Sequence, residues 1–212
     1  MKKNKMLALL LFGLLLMPVS AMAEVNFTMD LSPISMLISS DLDGFQVSKS
    51  SFGYYQSETI DGTGSFLPNL KAGIGIDTGK VMHLDITGGV GYLFNAAFSA
   101  PMFTLDVAPR FKLGNVVTLA PHIGYIQFGD LSWGDGMDTL MSDSDDVKLT
   151  DGGSGLIYGL SLTAGKKVAF VGSIDGISVG EYKVTTNNGY NANRNTLDIS
   201  GIAIQLGIKF RF

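Results

Sequence analysis

Cysteine is missing from the 212-residue chain. No disulfide is available, which a domain of this size can do without, and no thiol follows the N-terminal leader to carry a lipoprotein lipid. Long apolar runs are also missing: past residue 17 nothing approaches the ~20 uninterrupted apolar residues of a transmembrane helix. Positive charge is scarce, with 15 Lys and Arg against 19 Asp and Glu. That balance excludes a nucleic-acid partner, which needs clustered basic residues. No Pro/Ser-rich linker or break in composition divides the chain, so one domain is expected.

What is present begins with an export pattern. Lys2, Lys3 and Lys5 precede an apolar run from Met6 to Met17, and Ala21-Met22-Ala23 has the small-residue pattern of a signal-peptidase site. Pro18 and Ser20 cut the run short of a membrane anchor. Residues 1–23 are therefore read as a signal peptide cleaved after Ala23, and residues 24–212 as the mature domain. Losing the three leader lysines leaves 12 basic residues against 19 acidic ones. With 46% hydrophobic residues, 16% charged residues and 27 glycines, the remainder suits a β-rich chain.

Period-two alternation recurs in eight segments. In the clearest, Met82, Leu84, Ile86, Val90, Tyr92 and Phe94 share one face, and His83, Asp85, Thr87, Gly89 and Gly91 share the other. Next, Phe103, Leu105, Val107, Phe111 and Leu113 oppose Thr104, Asp106, Ala108, Arg110 and Lys112. Weaker versions run from Val25 to Ser32, Leu70 to Asp77, Val117 to Tyr125, Leu156 to Leu162, Val168 to about Val184, and Thr196 to Phe212. Val171 and Ile177 break the polar face of the seventh. The eighth slips phase near Ser200-Gly201, where a bulge is expected.

The connections alternate as well. Asp77-Thr78-Gly79-Lys80, Gly114-Asn115 and Gly165-Lys166-Lys167 read as tight turns. Longer links are expected at Ser39 to Ser65, Asn95 to Pro101, Gly129 to Ser154 and Thr185 to Asn195. Short turns at one end and long loops at the other are the mark of an outer-membrane barrel. The aromatic residues of the apolar rows fall into two groups. Phe27, Phe111, Phe170, Phe210 and Phe212 lie near the turns, and Tyr92, Phe94, Phe103, Tyr125 and Tyr158 near the loops. Rings favour the headgroup level at both bilayer faces, which separates this chain from a soluble barrel with its apolar rows inside. The fold class is all-β: an eight-stranded antiparallel up-and-down transmembrane β-barrel.

The last strand, Ile204-Gln205-Leu206-Gly207-Ile208-Lys209-Phe210-Arg211-Phe212, alternates hydrophobics up to a terminal phenylalanine. In this respect, and in its strand and loop order, the mature chain resembles the small outer-membrane β-barrel superfamily, notably OmpA-like and OmpX-like barrels. The resemblance implies that Ile204, Leu206, Ile208, Phe210 and Phe212 form the signal read by the barrel-assembly machinery. It also implies contact with outer-membrane lipid and lipopolysaccharide, and loops that face an extracellular partner.

In the expected register, Pro109 faces Pro121 on the outer surface, each leaving a gap on its far side. Asp85 lies opposite Arg110, and His122 is diagonal to Asp106 and Arg110. With Lys71, His83 and Lys112 nearby, these residues form an ionic set in the lumen. The bland reading is a salt-bridge plug, since buried charges must pair and eight strands leave just enough interior for side chains. The alternative is a gate or proton path. The third loop is acidic, and Asp143, Asp145 and Asp146 offer oxygen ligands to a divalent cation; a solvated, self-repelling loop is the competing reading. Trp133 in the same loop is expected to anchor it or to meet a partner.

No G-x-S-x-G elbow exists, and neither histidine reaches the lipid face beside a serine. No cofactor or metal is assigned. The expectation is a non-enzymatic envelope-structural or surface-interaction barrel. A small conduit for apolar solutes, as in OmpW-like barrels, is second, and a lipid A-modifying enzyme third. N-terminal sequencing of membrane-extracted protein is expected to begin at Glu24; a product that keeps Lys2 to Lys5 would contradict the cleavage.

Overall fold

In the computed structural model, residues 24–51, 53–77, 82–134 and 146–212 are described. Eight long strands form the wall: β1 (Glu24–Ile38), β2 (Asn69–Asp77), β3 (Met82–Phe94), β4 (Phe98–Lys112), β5 (Val117–Phe128), β6 (Ser154–Gly165), β7 (Val168–Val179) and β8 (Gly201–Arg211). Each pairs antiparallel with its neighbour in sequence, and β8 returns to pair with β1, from Thr28 opposite Arg211 to Ile38 opposite Ile202. The barrel is closed. Among the described residues no helix is long and apolar enough to cross a membrane.

Alternation decides which way the wall faces. Val25, Phe27, Val90, Leu105, Ile123, Leu160, Ile174 and Leu206 all stand exposed, whereas Thr28, Asp85, Thr104, Asp106, Thr163, Asp175 and Lys209 are buried. A barrel in water would show the reverse. Apolar residues outside and polar ones inside define a membrane barrel. The aromatic side chains stand where the two girdles were expected: Phe27, Phe170 and Phe212 are exposed towards the turns, and Tyr92, Phe103, Tyr125 and Tyr158 towards the loops.

Several expected boundaries move. β7 stops at Val179, and Tyr182–Thr186 is a separate strand outside the wall. The link after β7 therefore begins at Gly180. The link after β3 shrinks to Asn95, Ala96 and Ala97, because Phe98 already pairs as part of β4. Asn95 makes this tight connection work: its side-chain oxygen accepts the N–H groups of Ala97 and Phe98 at 2.8 and 2.9 Å. The shorter link shifts the β3–β4 register by two residues from the expected one. Asp85 is opposite Ala108, and His83 is opposite Arg110. Of the turn read at Asp77 to Lys80, only Asp77 lies within the described residues.

The expected bulge near Ser200 is not in the wall. Gly201 simply begins β8, while Thr196–Leu197 pairs elsewhere. The break in register lies instead in β1, between Leu31 and Ile34. Pro33 cannot donate to a ladder, and across it the outward row changes from Val25, Phe27 and Leu31 to Ile34, Met36 and Ile38. Above this break Gly64–Phe66 pairs with β1 and β3 and fills the wall where β2 has not yet begun. Pro109 and Pro121 do face each other: the β4–β5 register is the same on both sides of them but is interrupted between Val107–Ile123 and Phe111–Leu119. The gap is on their shared side, not the far side, since Pro109 still registers with Leu84 and Pro121 with Leu160.

Ile174 lies mid-strand on the outer face, opposite Ile204 and Leu160. Ile174→Arg is expected to destabilise the vesicle-embedded protein by about 2–4 kcal/mol, the cost of a cation near the bilayer midplane. Urea unfolding from lipid vesicles measures it. An unchanged stability would mean that this face does not meet lipid.

Candidate functional site

The turn-side half of the lumen is ionic. Asp85, from β3, forms an ion pair with Arg110 Nε at 2.7 Å and accepts a hydrogen bond from Lys209 Nζ at 2.9 Å. Lys209 also reaches Asp30 at 3.1 Å. Across the lumen Lys71 Nζ meets Asp106 at 2.6 Å. His122 stands between two carboxylates, with Nε2 at 2.8 Å from Asp175 and Nδ1 at 3.9 Å from Asp106. Asp175 is fully buried and also accepts from Gln205 Nε2 and the Ser173 hydroxyl. Gln205 in turn accepts from Asn69. Each of the eight strands except β6 supplies a member, and β6 contributes space. A Cβ on Gly159 would come within 2.3 Å of the Asp175 carboxylate and 2.8 Å of His122, so only glycine leaves room there.

The set differs in part from the one expected. Asp85 and Arg110 pair although they are not directly opposite, because Arg110 reaches diagonally. His122 does find Asp106, but its closer partner is Asp175. His83 instead faces Asp77 at the turn-side end, and Lys112 is exposed there. Asp30, Asp175, Gln205 and Lys209 were missed as members. Their inward positions on alternating strands were legible, but the partners they meet are set by strands remote in sequence. The cavity among these groups measures about 60 Å³, well below the roughly 300 Å³ of a small ligand pocket.

The loop-side half is apolar, where the ionic set of the turn-side half gives way to hydrocarbon side chains. Leu37, Leu93, Phe98, Met102, Ile126 and Phe128 point inward and are at most 2% exposed. Ile177, which marred the seventh alternating segment, belongs to this level. The links fold over it. Leu42, Phe45, Val47, Ile60 and Leu67 from the first link join Leu131, Val147 and Leu149 from the third and Tyr182, Tyr190, Leu197 and Ile199 from the fourth in one core. Each large buried side chain contributes ~1.5–3 kcal/mol, whereas the partly exposed Arg194–Asp41 pair at 3.1 Å is worth ~0–1 kcal/mol. Apolar burial holds the cap.

Polar contacts fix its shape. Gln46–Ser51 pairs with Tyr54–Thr59 and with Tyr190–Ala192, and Val147–Thr150 pairs with Tyr182–Thr186, which pairs with Thr196–Leu197. Both small sheets thus join links distant in sequence. Trp133 anchors the third link: its ring stacks on Phe45 at 6.4 Å and its Nε1 donates to the Val147 carbonyl at 2.8 Å. The Tyr182 hydroxyl donates to the Gly129 carbonyl at 2.8 Å. Burial, reinforced by the negative charge of Asp130, pushes this phenol well above its ordinary range and keeps it a donor.

Of the proposed cation ligands, Asp143 and Asp145 lie outside the described residues. The Asp146 carboxylate accepts from Asn188 Nδ2 at 2.7 Å. Among the described residues no cluster of three acidic or histidine groups could hold a metal. Ile204, Leu206, Ile208, Phe210 and Phe212 form the outward row of the last strand, with Ile204, Leu206 and Phe212 well exposed.

A closed ring of eight strands, an apolar outer wall and a filled interior are the architecture of small outer-membrane β-barrels. No protein-family model matches the chain, and no curated protein matches it. Among solved structures, the outer membrane protein OprG from Pseudomonas aeruginosa is similar at 9% identity and a TM-score of 0.47, over 88% of this chain and 96% of that one. Ail, the attachment invasion locus protein of Yersinia pestis, solved with the heparin analogue sucrose octasulfate, is similar at 10% identity and a TM-score of 0.42, over 90% and 99%. The fold assignment stands on the strand pairing itself.

Asp175→Ala would strand His122 and Gln205 without their shared acceptor. The variant is expected to lose about 3–5 kcal/mol in urea unfolding from vesicles, with Asp175→Asn losing less. Equal, small losses in both would show that the network is not what fills the lumen.

Proposed function

We propose that the protein is a non-conducting, non-enzymatic barrel of the outer membrane that holds its loops as a fixed platform for an extracellular partner. The observation that carries this reading is the apolar seal, from Leu37 to Phe128, lying directly under a folded cap. A conduit needs a continuous open passage through the lumen, and this one is filled by an ionic plug below and a hydrophobic core above. The platform has an exposed tip: Tyr54 and Tyr55, at the end of the first-link hairpin, are 81% and 69% exposed. Tyrosine is a frequent anchor in protein interfaces.

Catalysis finds no support among the described residues. Both histidines face the lumen and pair with carboxylates, and no hydrogen bond joins either to a serine. Nucleophile activation by an adjacent base needs that contact. Cleavage after Ala23, insertion by the barrel-assembly machinery through the Ile204–Phe212 row, and contact of the outer wall with lipid and lipopolysaccharide belong to the same proposal.

Planar-bilayer recording tests it. Purified protein is expected to give no steady openings over a wide voltage range. Stable, reproducible conductance would overturn the sealed lumen and favour the conduit.

A further inference from the structure

The turn-side end of the barrel is not sealed. A vestibule of about 360 Å³ opens there, lined by Arg110, Lys112, Lys166, Lys167, Arg211 and His83 among others. The mouth is crowded with like charge. Arg110, Lys112, Lys166, Lys167 and Arg211 line it, and Lys209 lies just below. Of the carboxylates, Asp77 lines the vestibule and faces His83, and Glu24 lies opposite Asp77 at the strand end. Asp85 and Asp30 sit below in the plug, Asp85 engaged by Arg110 and Lys209 and Asp30 by Lys209.

Arg211 carries the argument furthest. Its Nη1 donates to the Lys166 carbonyl at 3.4 Å, and its backbone N–H donates to the Lys167 carbonyl, so strand β8 and the β6–β7 turn fix it in place. Its Nε and Nη2 are buried and have no partner among the described residues. A planar guanidinium with two free donors, ringed by lysines, matches the oxygens of a phosphate group. The cavity is of the size of ordinary small-ligand sites. The surplus of cations also raises the local concentration of anions.

We propose that this vestibule binds a phosphate group, with Arg211 and Lys112 as the direct contacts and Lys166 and Lys167 as the electrostatic rim. Two sources share that chemistry: a phospholipid headgroup of the turn-side leaflet, or a free phosphorylated solute. The inference does not depend on what the loops bind.

The test titrates the full-length mature protein, refolded in zwitterionic nanodiscs, with inorganic phosphate and with sn-glycerol 3-phosphate, followed by calorimetry. A parallel arm adds phosphatidylglycerol to the nanodiscs and counts lipid adducts by native mass spectrometry. Wild type is expected to show saturable binding in at least one arm, weakened about tenfold or more in Lys112→Gln/Arg211→Gln. Should that variant fail to fold, as judged by heat-modifiable gel mobility, Lys166→Gln/Lys167→Gln alters only the turn and is expected to weaken binding severalfold. Binding in the solute arm assigns a free phosphorylated compound, and binding in the lipid arm alone assigns a headgroup; either supports the proposal. No saturable binding in both arms, or binding unchanged in the folded variants, overturns it.

Discussion

Closure of β1 on β8 is the contact on which everything else rests. In hydrocarbon no water satisfies an exposed N–H or C=O, so a sheet that spans a membrane cannot keep an edge. Nine registered pairs join Thr28–Ile38 to Ile202–Arg211 across the Pro33 break. Only with that seam made does each strand acquire an inside and an outside. Only then can alternation along the sequence sort side chains into a lipid-facing wall and an enclosed lumen. Gly64–Phe66 extends the same logic upwards, supplying the upper half of β1 with the partner that β2 is too short to give.

A lumen this narrow has to be filled, and the chain fills it in two different ways. Towards the turns it uses charges tied to one another through Asp85, Asp106 and Asp175, because a lone buried charge costs several kcal/mol. Towards the loops it uses leucine, isoleucine, methionine and phenylalanine. The change of chemistry along one interior follows the protein's surroundings. Within the bilayer the outer wall is apolar and the interior takes the polar residues. Beyond it, links folded over the mouth bury their own apolar side chains against the barrel's last inward layer, as a water-soluble core does. The two halves together leave a blind pocket open only at the turns.

The wall was legible in the sequence because its signal is local. Met82 to Phe94 and Phe103 to Lys112 alternate so regularly that both their strand nature and their facing followed from the residues alone. The ionic partners were partly legible: Lys71, Asp85, Asp106, Arg110 and His122 could be assigned to the lumen, but Asp30, Asp175, Gln205 and Lys209 join them through strands remote in sequence. Register was misplaced where proline or a tight link decided it. Asn95 folds the β3–β4 connection into three residues with its own side chain, and that pushed Asp85 from opposite Arg110 to opposite Ala108. The cap was not legible. Phe45, Trp133, Tyr182 and Leu197 come from three separate links, and nothing periodic announces that they share a core. Ile177 was read as a flaw in the polar row when it was the first sign of the apolar level.

The central claim is that this barrel is inverted and sealed, with lipid outside and no solvent path within. Site-directed spin labelling along β6, one label at a time from Leu156 to Thr163 in liposomes, tests it most directly. Labels at Leu156, Tyr158, Leu160 and Leu162 should collide with oxygen dissolved in the bilayer. Those at Ile157, Ser161 and Thr163 should be shielded from oxygen and from a water-soluble nickel chelate alike, with Gly159, which has room for no side chain, left unlabelled. Loss of the two-residue period, or access of the chelate to the inward positions, would contradict the account.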